Sequence, residues 1–130
     1  MKKIILVVEN ELKNLKLVKD LLHFFKYDTI EAYNGKEAIE IVNKKFESID
    51  LILMDIQMPI MDGLTATRIL KKNKNTKDIP IIALTAFAMK EDEEKAIKAG
   101  CDGYITKPIN ILEFKKIISL YLERKETFGG

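Results

Sequence analysis

Residues 50–55 have the sequence Asp-Leu-Ile-Leu-Met-Asp, which places four consecutive apolar residues between two carboxylates. Such a short, unbroken apolar run is typical of a strand that is buried on both faces, as in a parallel sheet. The segment Ile4–Val8 is a second run of this type, and Glu9 and Asn10 follow it directly. The two segments predict inner strands of a parallel sheet, and the first of them stops at Asp55.

Working outward from these runs, strand and helix patterns alternate five times along the chain. Between Leu12 and Phe25, apolar residues recur at three- and four-residue steps, which predicts an amphipathic helix of about fifteen residues. The other predicted strands are 27–32, 80–84 and 103–106, and the other predicted helices are 38–46, 64–72, 90–99 and a last helix capped by Asn110 and ending near Glu123. This alternation predicts right-handed crossovers and a parallel sheet with helices on both faces.

Composition and charge exclude several classes of protein. The 130 residues suffice for one domain, and 47% of them are hydrophobic. A net charge of +2, with Arg68 and Arg124 the only arginines, argues against direct binding of nucleic acid. The single cysteine excludes an intrachain disulfide and a cysteine-based metal cluster. No apolar stretch has the roughly 20 residues of a membrane span, so we expect a cytoplasmic protein.

Reactive side chains follow four of the predicted strands: Glu9 and Asn10, Asp55, Thr85 and Lys107. In open parallel sheets, ligands bind beyond the carboxyl ends of the strands, so these side chains are expected to converge. Carboxylate and amide oxygens suit Mg²⁺, while a hydroxyl and an ammonium can hold an anion. The combination favours phosphoryl transfer, with Asp55 as the nucleophile that forms an acyl phosphate.

Each of these residues has an alternative interpretation when it is taken alone. Asp55 could cap the following turn, Thr85 could be a hydrogen-bonded loop hydroxyl, and Lys107 could be a solvated surface charge. The prediction therefore depends on their joint placement at successive strand ends. From composition and residue order alone, the prediction goes no further than an α/β domain that binds phosphate or a metal ion.

Three motifs resemble those of receiver domains from bacterial two-component response regulators. Residues 54–63, Met-Asp-Ile-Gln-Met-Pro-Ile-Met-Asp-Gly, resemble the phosphoacceptor loop of that family. Residues 83–86, Ala-Leu-Thr-Ala, resemble its fourth-strand hydroxyl motif, and residues 99–108, ending in Thr-Lys-Pro, resemble its lysine–proline motif. The resemblance covers nearly the whole chain.

The resemblance implies a flavodoxin-like (βα)₅ fold with strand order 2-1-3-4-5. It implies a receiver domain over residues 1–123, and the absence of a packing pattern predicts a frayed tail over residues 124–130. The length of the chain favours a stand-alone, single-domain response regulator, with a receiver excised from a hybrid kinase as the alternative. Such a protein acts as a phosphorylation-controlled switch in two-component or phosphorelay signalling. It turns over no external substrate, and therefore is not an enzyme.

The resemblance also assigns a role to each matching residue. Asp55 would accept a phosphoryl group from a phosphohistidine of a partner kinase or histidine phosphotransfer protein. Thr85 and Lys107 would contact that group, and Tyr104 would be the aromatic switch that follows Thr85. The other implied features are Mg²⁺ ligation by Glu9, Asn10, Asp55 and the backbone carbonyl of Gln57, and a cis peptide bond between Lys107 and Pro108.

Asn10 departs from the family pattern, which has an acidic residue at this position. An alternative register would place Val8 and Glu9 on the acidic pair, but Asn14 and Leu17 fit better with Glu9 and Asn10 there. Asn can offer a carbonyl oxygen to Mg²⁺ but brings no charge, so metal affinity should fall. A pseudo-receiver scaffold with impaired phosphorylation is therefore the alternative function.

Two enzymatic or cofactor-binding alternatives share the α/β topology. An aspartyl-phosphate hydrolase would need cap elements and further acidic motifs, for which the chain has no spare segment. A flavodoxin-like cofactor binder would need a phosphate loop rich in Gly, Ser or Thr after Val8, and the sequence there is Glu-Asn-Glu.

The last helix is apolar around more of its circumference than one core contact requires. Ile111, Phe114, Ile118 and Tyr121 form the predicted core stripe, and Leu112, Ile117, Leu120 and Leu122 widen it. A wide apolar face favours a second partner surface. Ile117 and Leu120 are the predicted partner face, for a downstream protein target or for a homodimer.

Overall fold

The computed structural model describes residues 2–86 and 89–129, and for 124–129 it describes the backbone alone. Within these ranges, five strands alternate with five helices. The strands are β1 (Ile4–Val8), β2 (Asp28–Ala32), β3 (Leu51–Asp55), β4 (Ile81–Thr85) and β5 (Gly103–Thr106). The helices are α1 (Leu12–Phe24), α2 (Gly35–Lys45), α3 (Gly63–Lys72), α4 (Lys90–Ala99) and α5 (Ile111–Gly129).

The strands form one parallel sheet in the order β2-β1-β3-β4-β5, which confirms the predicted fold. Alternate residues of the inner strands face opposite sides of the sheet, so two apolar cores form. Leu6, Ile52 and Ile81 pack on the side of α2, α3 and α4. Ile5 and Leu53 pack on the side of α1 and α5. The unbroken apolar runs are thus explained by burial on both faces.

Local sequence signals set several helix ends. The side chains of Asn34, Asp62 and Asn110 accept hydrogen bonds from the backbone N–H groups three residues later, which caps α2, α3 and α5. Gly100 ends α4 with a φ of 110°, a left-handed conformation that favours glycine. These caps fix where the loops at the edges of the sheet begin.

The last helix is longer than predicted. The sequence predicts an end near Glu123 and a frayed tail after it, whereas α5 continues to Gly129. Residues 124–126 are Arg-Lys-Glu, which favour a helix, and no proline interrupts the segment. Gly130 lies outside the described residues, and the domain boundary at residue 123 remains a prediction. None of the described helices combines the length and the hydrophobicity needed to cross a membrane.

Candidate functional site

The carboxyl ends of the strands lie at one edge of the sheet, as predicted. Backbone hydrogen bonds extend the ladders one residue past the strands, since Glu9 N donates to Ala32 O at 3.0 Å and Lys107 N donates to Thr85 O at 2.7 Å. Asp55 is the last residue of β3 and pairs in register with Leu84 of β4. The backbone therefore fixes the positions of Glu9, Asp55 and Lys107 relative to one another.

The Lys107 ammonium lies between two buried carboxylates. Its Nζ is 2.8 Å from Glu9 Oε1 and 3.4 Å from Asp55 Oδ2. The side chains of Glu9 and Asp55 are only 1% and 9% exposed, and that of Lys107 is 19% exposed. Asp55 Oδ1 also accepts a hydrogen bond from the backbone N–H of Gln57 at 3.1 Å. Residues far apart in sequence thus form one compact charged cluster.

The electrostatics of this cluster shift the pKa values of the Asp55 and Glu9 carboxyls in opposite directions. Burial, together with the neighbouring Glu9 carboxylate, raises the pKa of Asp55 to about 7. Burial would also raise the pKa of Glu9, but hydrogen bonds with Asp55 and Lys107 outweigh it and lower that pKa. The pKa of Lys107 is raised, because its hydrogen bond to Glu9 and the charge of Asp55 outweigh burial. Near neutral pH, Asp55 is the carboxyl that exchanges its proton.

A cleft of about 290 Å³ opens beside Asp55. Its lining residues are Asn10, Glu11, Asn14, Asp55, Gln57, Thr85, Ala86 and Lys107. The donor set suits a hard cation, since Asp55 and the adjacent Glu9 could offer carboxylate oxygens and Asn10 an amide oxygen. Within the described residues, no three His, Cys, Asp or Glu side chains are grouped to hold a metal. Asn10 contributes an amide to this cleft and no carboxylate.

Thr85 and Tyr104 are directly coupled. Thr85 is buried at the end of β4, and a hydrogen bond joins its side chain to the Tyr104 hydroxyl. Partial burial raises the pKa of Tyr104, and the nearby Asp92 and Glu93 of α4 add to this increase. The predicted switch pair is therefore in contact, next to the acidic first turn of α4. The predicted cis bond between Lys107 and Pro108 is also present.

Gly63 allows the acceptor loop to return close to Asp55. A Cβ at position 63 would lie 2.1 Å from the backbone oxygen of Asp55 and 2.9 Å from Met54 Cγ. The Gly63 N–H donates to Ile56 O at 2.9 Å, which closes the loop. No side chain fits at this point, so the glycine is required by the close approach of backbone to backbone.

Gly63→Ala should lower the free energy of unfolding by about 2–3 kcal/mol, because the loop must move to accept the methyl group. Urea unfolding followed by circular dichroism measures this loss. Gly103→Ala is the matched control, since the three atoms nearest to its Cβ belong to the Tyr121 side chain, the nearest at 3.0 Å, and none of them is a backbone atom. Equal stabilities of the two variants would contradict the steric explanation.

Sequence reasoning did not assign Glu11 and Asn14 to the site, although both line the cleft. A signal was available, since Glu is not among the residues preferred at a helix N-cap, the position that Glu11 occupies before α1. Asn10 itself is exposed at the rim of the cleft, next to the buried Glu9.

The orientation of α5 differs in part from the predicted one. Leu120 is 52% exposed, but Ile117 is half-buried against the core on the side of α1 and α5. Leu122, which was predicted outside the core stripe, is buried, whereas Ile111, which was predicted in the core stripe, is 54% exposed. The helix is rotated so that Phe114, Ile118 and Leu122 face the sheet, at spacings of four residues. Use of Leu120 as a partner contact remains a prediction.

Comparisons with known proteins show the family to which the chain is similar. Residues 5–119 match the family model of the response regulator receiver domain. The polar-differentiation response regulator DivK of Brucella anthropi is 44% identical over 122 residues, which cover 94% of this chain and 98% of that protein.

Two solved structures show the same fold. The receiver domain of the sensor histidine kinase PA1611 from Pseudomonas aeruginosa, with a magnesium ion in its active site cleft, has a TM-score of 0.87 and 31% identity. That alignment covers 95% of this chain and 99% of that chain. The receiver domain of Ssk1 in complex with the histidine phosphotransfer protein Ypd1, from Saccharomyces cerevisiae, has a TM-score of 0.83 and 30% identity, with coverages of 92% and 88%. Together with the family match, these findings show that the chain belongs to the response regulator receiver domains of two-component signalling.

Proposed function

We propose that Asp55 accepts a phosphoryl group from a phosphohistidine on a partner kinase or histidine phosphotransfer protein. The observation that supports this most directly is the placement of Asp55 on a cleft, with Lys107 bridging its carboxylate and that of Glu9. An Asp55 carboxylate oxygen forms a bond to phosphorus as the bond from phosphorus to the imidazole nitrogen breaks. The electron pair of the broken bond stays on that nitrogen, so the product is an acyl phosphate and a free histidine.

The carboxylate must be ionised to act as the nucleophile. With a pKa of about 7, Asp55 is partly protonated near neutral pH because of burial and the charge of Glu9. We propose Mg²⁺ as the cofactor, held by Glu9, Asn10, Asp55 and the backbone carbonyl of Gln57. Bound Mg²⁺ supplies positive charge that offsets the repulsion between these carboxylates and an incoming phosphoryl group.

Lys107 and Thr85 are the residues that would hold the transferred group. Lys107 already contacts Asp55 at 3.4 Å, so its ammonium can donate a charge-assisted hydrogen bond to a phosphoryl oxygen on that residue. The Thr85 hydroxyl lines the same cleft. When it turns toward the phosphoryl group, its hydrogen bond with Tyr104 must break, and the surface formed by α4, β5 and α5 changes.

The output in this proposal is an altered contact with a downstream protein, and no external substrate is turned over. The Ssk1–Ypd1 complex supports a histidine phosphotransfer protein as one class of partner. The proposal keeps the cytoplasmic location that the sequence predicts, with no direct contact with nucleic acid and the exposed Leu120 as a candidate target or dimer contact.

Incubation with acetyl phosphate across a Mg²⁺ titration tests the proposal, with intact mass as the readout. We expect one phosphoryl adduct whose yield rises with Mg²⁺ and is absent in EDTA. Asn10→Asp is the matched variant, and it should reach half-maximal yield at an about tenfold lower Mg²⁺ concentration, because a carboxylate ligand adds a full charge. No adduct on folded protein at any Mg²⁺ concentration would instead favour the pseudo-receiver alternative.

A further inference from the structure

Glu11 precedes α1, but its side chain does not cap the backbone N–H groups of that helix. It is the N-cap residue of α1, with φ −92° and ψ 116°, yet its side chain makes no capping hydrogen bond. Asn, Asp, Ser and Thr are preferred at this position because their short side chains reach the free N–H groups of the first turn. Backbone capping therefore does not explain a glutamate here.

The carboxylate of Glu11 is instead held at the wall of the cleft. Its Oε2 accepts a hydrogen bond from Asn14 Nδ2 at 3.2 Å, and both residues line the cleft beside Asp55. The backbone N–H of Glu11 donates to Glu9 Oε2 at 3.2 Å. The Glu9 carboxylate therefore contacts Lys107 through one oxygen and the backbone of residue 11 through the other.

The charges around the cleft explain what this carboxylate can do. When both are ionised, Glu9 and Asp55 bring two negative charges, and Lys107 cancels one of them. Asn10 brings none. Glu11 adds another carboxylate to the wall, but within the described residues it forms no direct three-acid ligand cluster with Glu9 and Asp55. It can therefore act on a cation in the cleft through water, without direct ligation.

We propose that Glu11 is a positioning residue for the divalent cation and supplies the negative charge that Asn10 lacks. The inference rests on the proposed function in one respect, which is that Mg²⁺ binds in this cleft. Because Glu11 is exposed, its effect acts through solvent and is weaker than that of a direct ligand. The same exposure makes the effect sensitive to ionic strength.

The test is an NMR titration of the unphosphorylated protein with Mg²⁺ alone, following the Gln57 amide. Glu11→Gln should weaken Mg²⁺ binding about three- to tenfold in low-salt buffer, because one carboxylate charge is lost near the cation. The difference should shrink at an ionic strength of about 0.5 M, where exposed charges are screened. Glu40→Gln is the matched control, since Glu40 is an exposed carboxylate on α2 and its loss should leave Mg²⁺ affinity unchanged.

Glu11→Asn separates the electrostatic role from a structural one. It should raise the midpoint of urea unfolding, because Asn is a good N-cap, while it weakens Mg²⁺ binding as Glu11→Gln does. If Glu11 acted only by stabilising the fold, Glu11→Asn would change the urea midpoint and the Mg²⁺ affinity in the same direction. Equal Mg²⁺ affinities of the wild type and Glu11→Gln would overturn the inference and leave the proposed function standing. A wild-type protein that binds no Mg²⁺ would overturn both.

Discussion

Asp55→Asn should abolish phosphorylation by acetyl phosphate and by a phosphorylated histidine phosphotransfer protein. An amide nitrogen or oxygen cannot replace the carboxylate as the nucleophile, so no acyl phosphate can form. The substitution keeps the shape of a side chain that is buried at the end of β3, so the fold should persist. Intact mass after incubation with Mg²⁺ and donor measures the adduct directly.

Asp62→Asn is the control for this experiment. Asp62 lies in the same loop, is exposed, and caps α3 through the backbone N–H of Thr65 at 2.8 Å. Asn caps a helix about as well as Asp, so the variant should fold and accept the phosphoryl group as the wild type does. A persistent adduct on the Asp55→Asn protein would show that the acceptor lies elsewhere.

The pH dependence of stability should reveal the raised pKa of Asp55. Its pKa rises from 3.8 in the unfolded chain to about 7 in the folded protein because of burial and the Glu9 charge. Between pH 3.8 and about 7, Asp55 is protonated in the folded protein but ionised in the unfolded chain. The contribution of Asp55 to the free energy of unfolding is therefore fully present below about pH 4. That contribution is lost as pH rises through 7. In Mg²⁺-free buffer the wild type should therefore lose about 2–3 kcal/mol of unfolding free energy between pH 5 and 8.

Asp55→Asn removes this titration and is the comparison that isolates it. The variant should lose less stability over the same range, so that its advantage over the wild type grows with pH. The lowered pKa of Glu9 and the raised pKa of Lys107 lie outside this window and do not interfere. Urea unfolding at pH 5, 6, 7 and 8 measures both proteins. Parallel stability profiles would mean that Asp55 is ionised at all of these pH values.

Local sequence patterns were sufficient for the fold and for most of the site. Each predicted strand begins and ends within one residue of the observed strand, and for β1, β3 and β4 the signal is the unbroken apolar run that burial on both faces leaves. Parallel pairing then requires the strands to end at one edge. This is why Glu9 and Lys107, 98 positions apart, could be expected to meet, and they lie 2.8 Å apart.

The orientation of the last helix could not be obtained in this way. Its sequence is apolar on too many sides, so periodicity alone could not choose between Ile111 and Leu122 as core residues. Packing against the sheet buries Leu122 and leaves Ile111 exposed. Which of these two residues is buried depends on the angle at which α5 crosses the sheet. The spacing of apolar residues along a helix carries no information about that angle.

The sequence by itself determined the order of strands and helices, the two-sided burial of the sheet and the chemical types gathered at its edge. Only the tertiary structure decided the distances between them, and those distances set the chemistry. The pKa of Asp55 reaches about 7 because folding buries it beside Glu9. Glu11 belongs to the cleft because Asn14 and Glu9 hold it there. Electrostatic interactions depend on separation and burial, which arise only when distant segments pack together.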